Sequence, residues 1–512
     1  MCIIQRNLQH HIYRFPKSPK ETPPYWYTQL ITTHIMQFLK PHQKEGVEWM
    51  VKREMTDVST FYDDHMPKGG ILADEVGLGK TIQTIGLLQS IPKKSLIIAP
   101  KSLVLQWIDE IHKFAPDMRV VNLTRSFDAT HLQDDCVYII SSSFFNKSTA
   151  VVGATPLHKV KWGRIIIDES HNIKNKKSKL HQSVCCLTSE ARWCLTATPV
   201  MNKMDDFINL TTFIGLSKFV TQGYRDDVVK TFLKRRTKDD VKHQDEALQL
   251  PKLDIEVCRM PFASQEEKKL YKDVFNDTNE QMRRKTNNNA IELLEMLLRV
   301  RQVCAYPQCY VDGMKRKFKM DMDNWSHEST KIPKITDDVL KVRDQKSIIF
   351  CQFRREMRAY KKALEQHGVN SVAIHGLMSM EERSESIETF KNTNTNVIII
   401  QIHTGGQGYN LQNAQNVFIT SPTWNPCIEY QAIGRAHRTG QKNAVKVKRY
   451  IISDETDTDT VYIEENMLAI HDKKRKIAAE TLNDERLAVD HAVYNTKAPL
   501  KFTDIRSVMK KQ

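Results

Sequence analysis

The ten cysteines of this 512-residue chain include no C-x-x-C pair, so neither a standard zinc site nor a disulfide framework can be read from them. Free thiols in a reducing compartment are expected. Long hydrophobic runs are lacking too. The longest strand-like run, Val397-Ile398-Ile399-Ile400, falls far short of the roughly 18–20 apolar residues that a membrane-spanning helix needs. The opening MCIIQRNLQHH has no apolar block followed by a cleavage site. An intracellular protein without a membrane partner is expected. Internal repeats and long low-complexity tracts are also missing, which excludes a repeat array.

What is plentiful is apolar side chain and positive charge. Hydrophobic residues make up 40% of the chain and charged residues 27%, enough for real cores under a globular surface. The length leaves room for about three domains, or for two large ones with insertions, and excludes a single small module. Lysine and arginine number 76 against 61 aspartates and glutamates, a net charge of +15 that points to a polyanionic partner. Residues 1–40 carry +4 of it and residues 472–512 another +4.

Prolines 16, 19, 23 and 24 suit an extended basic leader over 1–36. From Gly69 onward, short β-branched runs alternate with longer amphipathic segments: Ile71-Leu72-Ala73, Ser95 to Ala99, Val137 to Ile140 and Ile165 to Ile167. Fully buried strands separated by helices read as a parallel α/β sheet. Ser347 to Phe350, Ser371 to Ile374, Val397 to Ile402 and Val417 to Ile419 repeat the pattern, which predicts a second α/β lobe. Between them Ile291, Leu294, Leu298 and Val300 follow helical spacing and predict a buried helix face. The segment 312–331 reads as a loop or linker, and a basic tail is expected from about residue 472.

The first strand runs into Gly69-Gly70-Ile71-Leu72-Ala73-Asp74-Glu75-Val76-Gly77-Leu78-Gly79-Lys80-Thr81 and then an amphipathic segment. A strand, a glycine loop and a helix start place backbone N–H groups and a helix N-terminus around a phosphate. Lys80 can reach the β and γ oxygens of a nucleotide, and the Thr81 hydroxyl can bind Mg²⁺. Asp74 stands where the strict phosphate-loop pattern has glycine. Eighty-eight residues after Lys80, the buried run Ile165-Ile166-Ile167 ends in Asp168-Glu169-Ser170-His171. Asp168 can hold Mg²⁺ through water and Glu169 can polarise the attacking water, a division of labour suited to phosphoanhydride hydrolysis. ATP and Mg²⁺ are the expected substrate and metal.

With these residues in place, the chain resembles the Swi/Snf-type ATPases, the double-stranded-DNA translocases of helicase superfamily two, in order from about Leu39 to Ile451. The Asp74-Glu75-x-Gly77-Leu78-Gly79-Lys80-Thr81 string, aspartate included, is that family's form of the phosphate loop. The resemblance implies two RecA-like parallel-sheet lobes with a helical insertion between them. It divides the chain into 37–228 for lobe 1, 229–330 for a helical linker, 331–471 for lobe 2, and 472–512 for the tail. It implies that Gln43 reads adenine and that Asp74, Gly77, Leu78, Gly79, Gly408 and Gln431 line the nucleotide. Lys101, Ser102, Ser141, Thr404, Gly405, Trp424 and Asn425 are implied to meet DNA, and Thr196, Thr198 and His171 to couple hydrolysis to movement.

In Gln431-Ala432-Ile433-Gly434-Arg435-Ala436-His437-Arg438-Thr439-Gly440-Gln441, the resemblance makes Arg435 and Arg438 arginine fingers. Their spacing of three predicts one helix face aimed at the γ-phosphate. The acidic residue that the family carries just before Trp424 is missing, since Ser421-Pro422-Thr423 stands there. The implied activity is ATP-driven translocation along duplex DNA that remodels protein–DNA complexes, nucleosomes among them. The expected protein is a monomer in the nucleus or at a viral replication site. Two alternatives stay open: a strand-separating DNA or RNA helicase, and a DNA-binding scaffold with a dead nucleotide site.

Overall fold

The computed structural model describes residues 34–55, 67–123, 132–146, 155–244, 250–284, 290–319, 322–404, 409–438 and 440–488. The expected N-terminal leader lies almost wholly outside these residues. So do Gly405, Gly408 and most of the expected tail. Among the described residues no helix is long and apolar enough to cross a membrane.

The chain falls into two compact units. Residues 1–73, 80–196 and 208–235 form one, and 74–79, 197–207 and 236–512 the other. The first is built on a seven-stranded sheet, all parallel, in the order β3 (Val120–Asn122), β4 (Val137–Ser141), β2 (Ser95–Ala99), β5 (Lys161–Asp168), β6 (Thr188–Leu195), β1 (Lys68–Leu72), β7 (Leu233–Lys234). β2 is buried at all five positions, as a strand covered on both faces must be. The helices Pro41–Met55, Lys80–Ser90 and Val104–Phe114 cover one face through Val47, Met50, Val51, Ile85, Leu88, Trp107 and Ile111.

Inside this unit sits a buried ion pair that neither charge pattern nor periodicity announces. Arg164 of β5 donates from Nε and Nη2 to the two oxygens of Glu54, each at 2.6 Å, and Trp193 Nε1 donates to Glu54 Oε1 at 2.8 Å. Both charged side chains are fully buried. Burial alone would raise the Glu54 pKa, but the charge and hydrogen bonds of Arg164 outweigh it and the net shift is downward from 4.5. Its stabilising contribution is therefore present above pH 4.5 and lost on further acidification. Glu54→Gln is expected to cost about 3–5 kcal/mol at pH 7 by leaving Arg164 buried without its anion. Urea titrations at pH 7 and pH 4 check this, with the gap between variant and parent narrowing in acid.

The second unit carries a six-stranded parallel sheet in the order β10 (Ser371–Ile374), β11 (Val397–Gln401), β9 (Ser347–Cys351), β12 (Asn416–Ile419), β13 (Val445–Ile452), β8 (Leu253–Met260). The two parallel sheets give the expected α/β class; the helices Gln265–Arg284, Ala290–Ala305 and Pro307–Phe318 follow β8, so the helical insertion expected between the lobes falls inside the second unit, between β8 and β9. Three local expectations change. Val300 is buried as expected, but Leu294 is 42% exposed and Leu298 only partly buried, and the stripe that faces the core runs through Leu297, Val300 and Val303. Residues 312–318, read as linker, belong to the helix Pro307–Phe318, which Pro307 starts at its first turn. The helix Ile463–Leu482 runs through the expected tail boundary and buries His471, Arg475, Ala478, Ala479 and Leu482.

Candidate nucleotide and nucleic-acid site

In a parallel sheet every strand ends on the same edge, and there the sequence motifs of the first unit collect. Leu72 of β1 and Asp168 of β5 both pair with Leu195 of β6, and Ala99 of β2 pairs with Ser141 of β4. Lys101, Ser102, Ser141, Asp168 and Thr196 therefore all follow or end strands at one end of that sheet, while Asp74, two residues past β1, is grouped with the second unit. The phosphate loop turns at Gly77 (φ 97°) and Gly79 (φ 81°), left-handed conformations that favour glycine. Lys80 then opens the helix Lys80–Ser90, with Thr81 in its first turn.

Three expected nucleotide contacts have other work in this structure. Asp74 is fully buried and gripped by Arg236, whose Nη2 donates to Oδ2 at 2.6 Å and whose Nε and backbone N donate to Oδ1 at 3.0 Å each. A buried carboxylate requires such a partner, and through it Asp74 anchors the loop. Ala73 N donates to Lys234 O and Glu75 N to Arg236 O, extending the β1–β7 ladder past the strand ends. Leu78 is buried against Val241. Gln43 Oε1 accepts from Lys40 N at 3.0 Å. That bond caps the helix Pro41–Met55; the second lone pair of the oxygen and the amide N–H groups are the ones expected to pair with adenine.

The acidic pair is more tightly organised than its spacing implies. Asp168 Oδ2 accepts from Trp107 Nε1 and Oδ1 from Glu169 N, both at 2.8 Å. Burial and then the charge of Glu169 push the Asp168 carboxyl up to about 6, partly opposed by Trp107 and Lys80. Glu169 itself sits at φ 47°, ψ 50°, a left-handed conformation that costs a non-glycine residue about 1–3 kcal/mol. Its Oε2 lies 3.2 Å from His171 Nδ1, which lies 3.4 Å from Thr196 Oγ1. Glu169, His171 and the buried Thr196 are thus brought together. Thr198 falls in the other unit.

In the second unit the helix Pro426–Ile433 ends before the expected arginine fingers. Gly434 caps it, and residues 434–438 form a turn in which His437 N donates to Ile433 O. Arg435 and Arg438 therefore do not share a helix face. Gln441, missed in the sequence, fixes this turn by donating from Nε2 to the carbonyls of Gln412, Ala414 and Ala436. Gln431 is partly buried on that helix. Also within this unit, a Cβ added at Gly77 would lie 4.0 Å from the Arg438 Cβ, and Lys238 Nζ donates to His437 O at 3.0 Å.

Thr404 is nearly buried, its hydroxyl donating to Gln401 O. Trp424 lies under the Arg301 guanidinium, 5.5 Å from it, with its carbonyl accepting from Lys474. Asn425 Oδ1 accepts from Cys427 N and caps the helix Pro426–Ile433. Both side chains, expected to meet DNA, are partly exposed here, one packed under Arg301 and the other capping a helix. Thr423, in place of the missing acid, bonds through N and Oγ1 to Glu429, which is itself paired with the buried Arg449.

Arg236 escaped the sequence reading as a site residue: a buried aspartate calls for a cation, and Arg236 lay in a string read as linker. Trp107 stands, with Gln106, in the string after Lys101-Ser102 that resembles the family's first DNA-backbone motif, but nothing in that string foretells its bond to Asp168.

The SNF2-related domain family matches residues 42–226 and the helicase conserved C-terminal domain residues 330–440. The chain is 28% identical over 528 residues to the human SWI/SNF-related matrix-associated actin-dependent regulator of chromatin subfamily A member 1, covering 92% of this chain and 48% of that protein. It is 28% identical over 470 residues to the probable global transactivator of Orgyia pseudotsugata multicapsid polyhedrosis virus, covering 85% and 90%. Among solved structures, the Sulfolobus solfataricus SWI2/SNF2 ATPase core in complex with double-stranded DNA is 24% identical, covers 88% of this chain and 94% of its own, and gives a TM-score of 0.37. The chain spans about half the length of the human relative, 48%.

Proposed function

We propose that this chain, which belongs to the Swi/Snf-type ATPases of helicase superfamily two, couples ATP hydrolysis to translocation along double-stranded DNA and so remodels protein–DNA complexes. The observation that carries the reading is the chain of contacts Glu169, His171, Thr196 at the end of the first sheet where β1 also stops. In it, a carboxylate able to orient water is tied to a threonine of the segment resembling the family's coupling motif.

In this reading Gly77, Gly79 and the N–H groups at the start of the helix Lys80–Ser90 cradle the phosphates, and Lys80 neutralises the β and γ oxygens. The Thr81 hydroxyl and the Asp168 carboxylate are hard oxygen donors of the kind that suits Mg²⁺. Both carboxylate oxygens keep lone pairs beyond those used by Trp107 and Glu169. A magnesium ion held there would offset charge on the phosphates, and its charge would keep Asp168 ionised despite burial. Glu169 orients the attacking water and takes its proton. Arg435 and Arg438 supply positive charge to the transferring phosphoryl group. Lys101, Ser102 and Ser141 are the proposed DNA contacts of the first unit and Thr404 and Gly405 those of the second.

The human relative's name speaks of chromatin, and we extend that to nucleosomal DNA as substrate and the nucleus as place of action, with the chain acting as a monomer. The test is ATP turnover with duplex DNA, single-stranded DNA, RNA and nucleosomes. Duplex DNA, free or nucleosomal, is expected to stimulate most. Preference for RNA, or efficient strand displacement, would replace translocation by unwinding.

A further inference from the structure

Asp168 is held from two sides, and one holder comes from an element with no chemical part so far. Trp107 lies in the first turn of the helix Val104–Phe114 and is 2% exposed. Its indole N–H donates to Asp168 Oδ2 at 2.8 Å, opposite the Glu169 N bond to Oδ1. An indole nitrogen is a donor only, and a buried N–H left without an acceptor costs about 1–3 kcal/mol. Trp107 and Asp168 therefore constrain each other, and the carboxylate cannot turn freely between its two donors.

The helix carrying Trp107 begins where the turn Lys101–Leu103 ends. Lys101, Leu105 and Gln106 are exposed, while Val104 and Trp107 point inward. β2, which leads into this turn, is hydrogen-bonded along its length to β5, which ends in Asp168. One short stretch of rigid chain thus joins the proposed DNA-backbone contact to the proposed metal carboxylate.

We propose that Trp107 is a positioning residue that sets the Asp168 carboxylate for the metal and passes to it the state of the Lys101–Ser102 turn. The inference rests on the reading that Asp168 holds the metal. A phosphate seated on the turn shifts the start of the helix, and the indole moves with it. Hydrogen bonds weaken steeply once bent below about 120°, so a small shift changes the aim of the carboxylate. DNA stimulation of hydrolysis then has a route inside the first unit alone.

The test compares Trp107→Phe, and replacement of Trp107 by benzothienylalanine, which keeps the fused-ring shape with sulfur in place of the N–H. Mg²⁺ titrations of the binding of a fluorescent ADP analogue read the metal site without turnover, and ATP hydrolysis with and without duplex DNA reads the coupling. Partners of metal ligands are typically worth about 10–100-fold in affinity or activity. Both replacements are expected to raise the half-saturating Mg²⁺ about 10-fold and to shrink the stimulation by duplex DNA, with the melting temperature of the benzothienyl protein unchanged. If Trp107→Phe fails to fold, the benzothienyl protein decides. Its binding Mg²⁺ and responding to DNA like the parent would overturn the proposal. Asp168→Asn is titrated in parallel: if it alone shifts the Mg²⁺ dependence, only the role of Trp107 falls. If it too leaves that dependence unchanged, the metal assignment falls.

Discussion

Replacing Glu169 with glutamine is expected to lower DNA-stimulated ATP turnover by on the order of 10²–10⁴, the range spanned by a positioned general base. The substitution keeps the size of the side chain and its ability to contact His171, so nucleotide binding and DNA binding should persist. The strained backbone at Glu169 sharpens the expectation. A residue held at φ 47° without being glycine is held there by its surroundings, and such strain collects where side-chain direction matters. The check is steady-state turnover beside equilibrium binding of a fluorescent ATP analogue. A variant that hydrolyses ATP at the parent rate would remove Glu169 from the chemistry.

Arg438→Ala is expected to reduce turnover by on the order of 10³, the lower end of what a finger arginine contributes, while leaving ATP affinity within a few-fold of the parent. Charge that matters only as the phosphoryl group transfers shows in kcat and not in binding. The turn that presents Arg438 is braced by the three Gln441 bonds, so removing the side chain should leave the backbone path intact. Rapid-quench turnover and ATP-analogue binding check this. Lost binding with unchanged turnover at saturating ATP would contradict the assignment.

How far the sequence reveals such a molecule depends on what buries its charges. Runs such as Ile165-Ile166-Ile167 and Val397 to Ile400 declare themselves because nothing polar interrupts them. β6, β8 and β13 do not. β13 reads Val-Lys-Val-Lys-Arg-Tyr-Ile-Ile, yet Arg449 within it is 1% exposed because Glu429 neutralises it. β8, the last strand of its sheet, begins Leu-Asp-Ile-Glu and leaves Asp254 and Glu256 exposed, as a strand with one solvated face does. The same limit applies to the site. Local spacing finds the loop 74–81 and the pair Asp168-Glu169, because strand, turn and helix are short-range matters. It cannot find Arg236, 162 positions from Asp74, or the indole 61 positions from Asp168, which only the folded sheet brings into contact.

The position of β8 bears on how the chain is made. Its Leu253 pairs with Val445, 192 residues further on, so during synthesis this edge strand leaves the ribosome long before its neighbour. At about 5–20 residues per second the wait is roughly 10–40 s. The first sheet is complete in sequence by Lys234 and can close during that interval. The second cannot, and for those seconds β8 is a nascent strand with an unpaired backbone, open to capture by chaperones or by another chain.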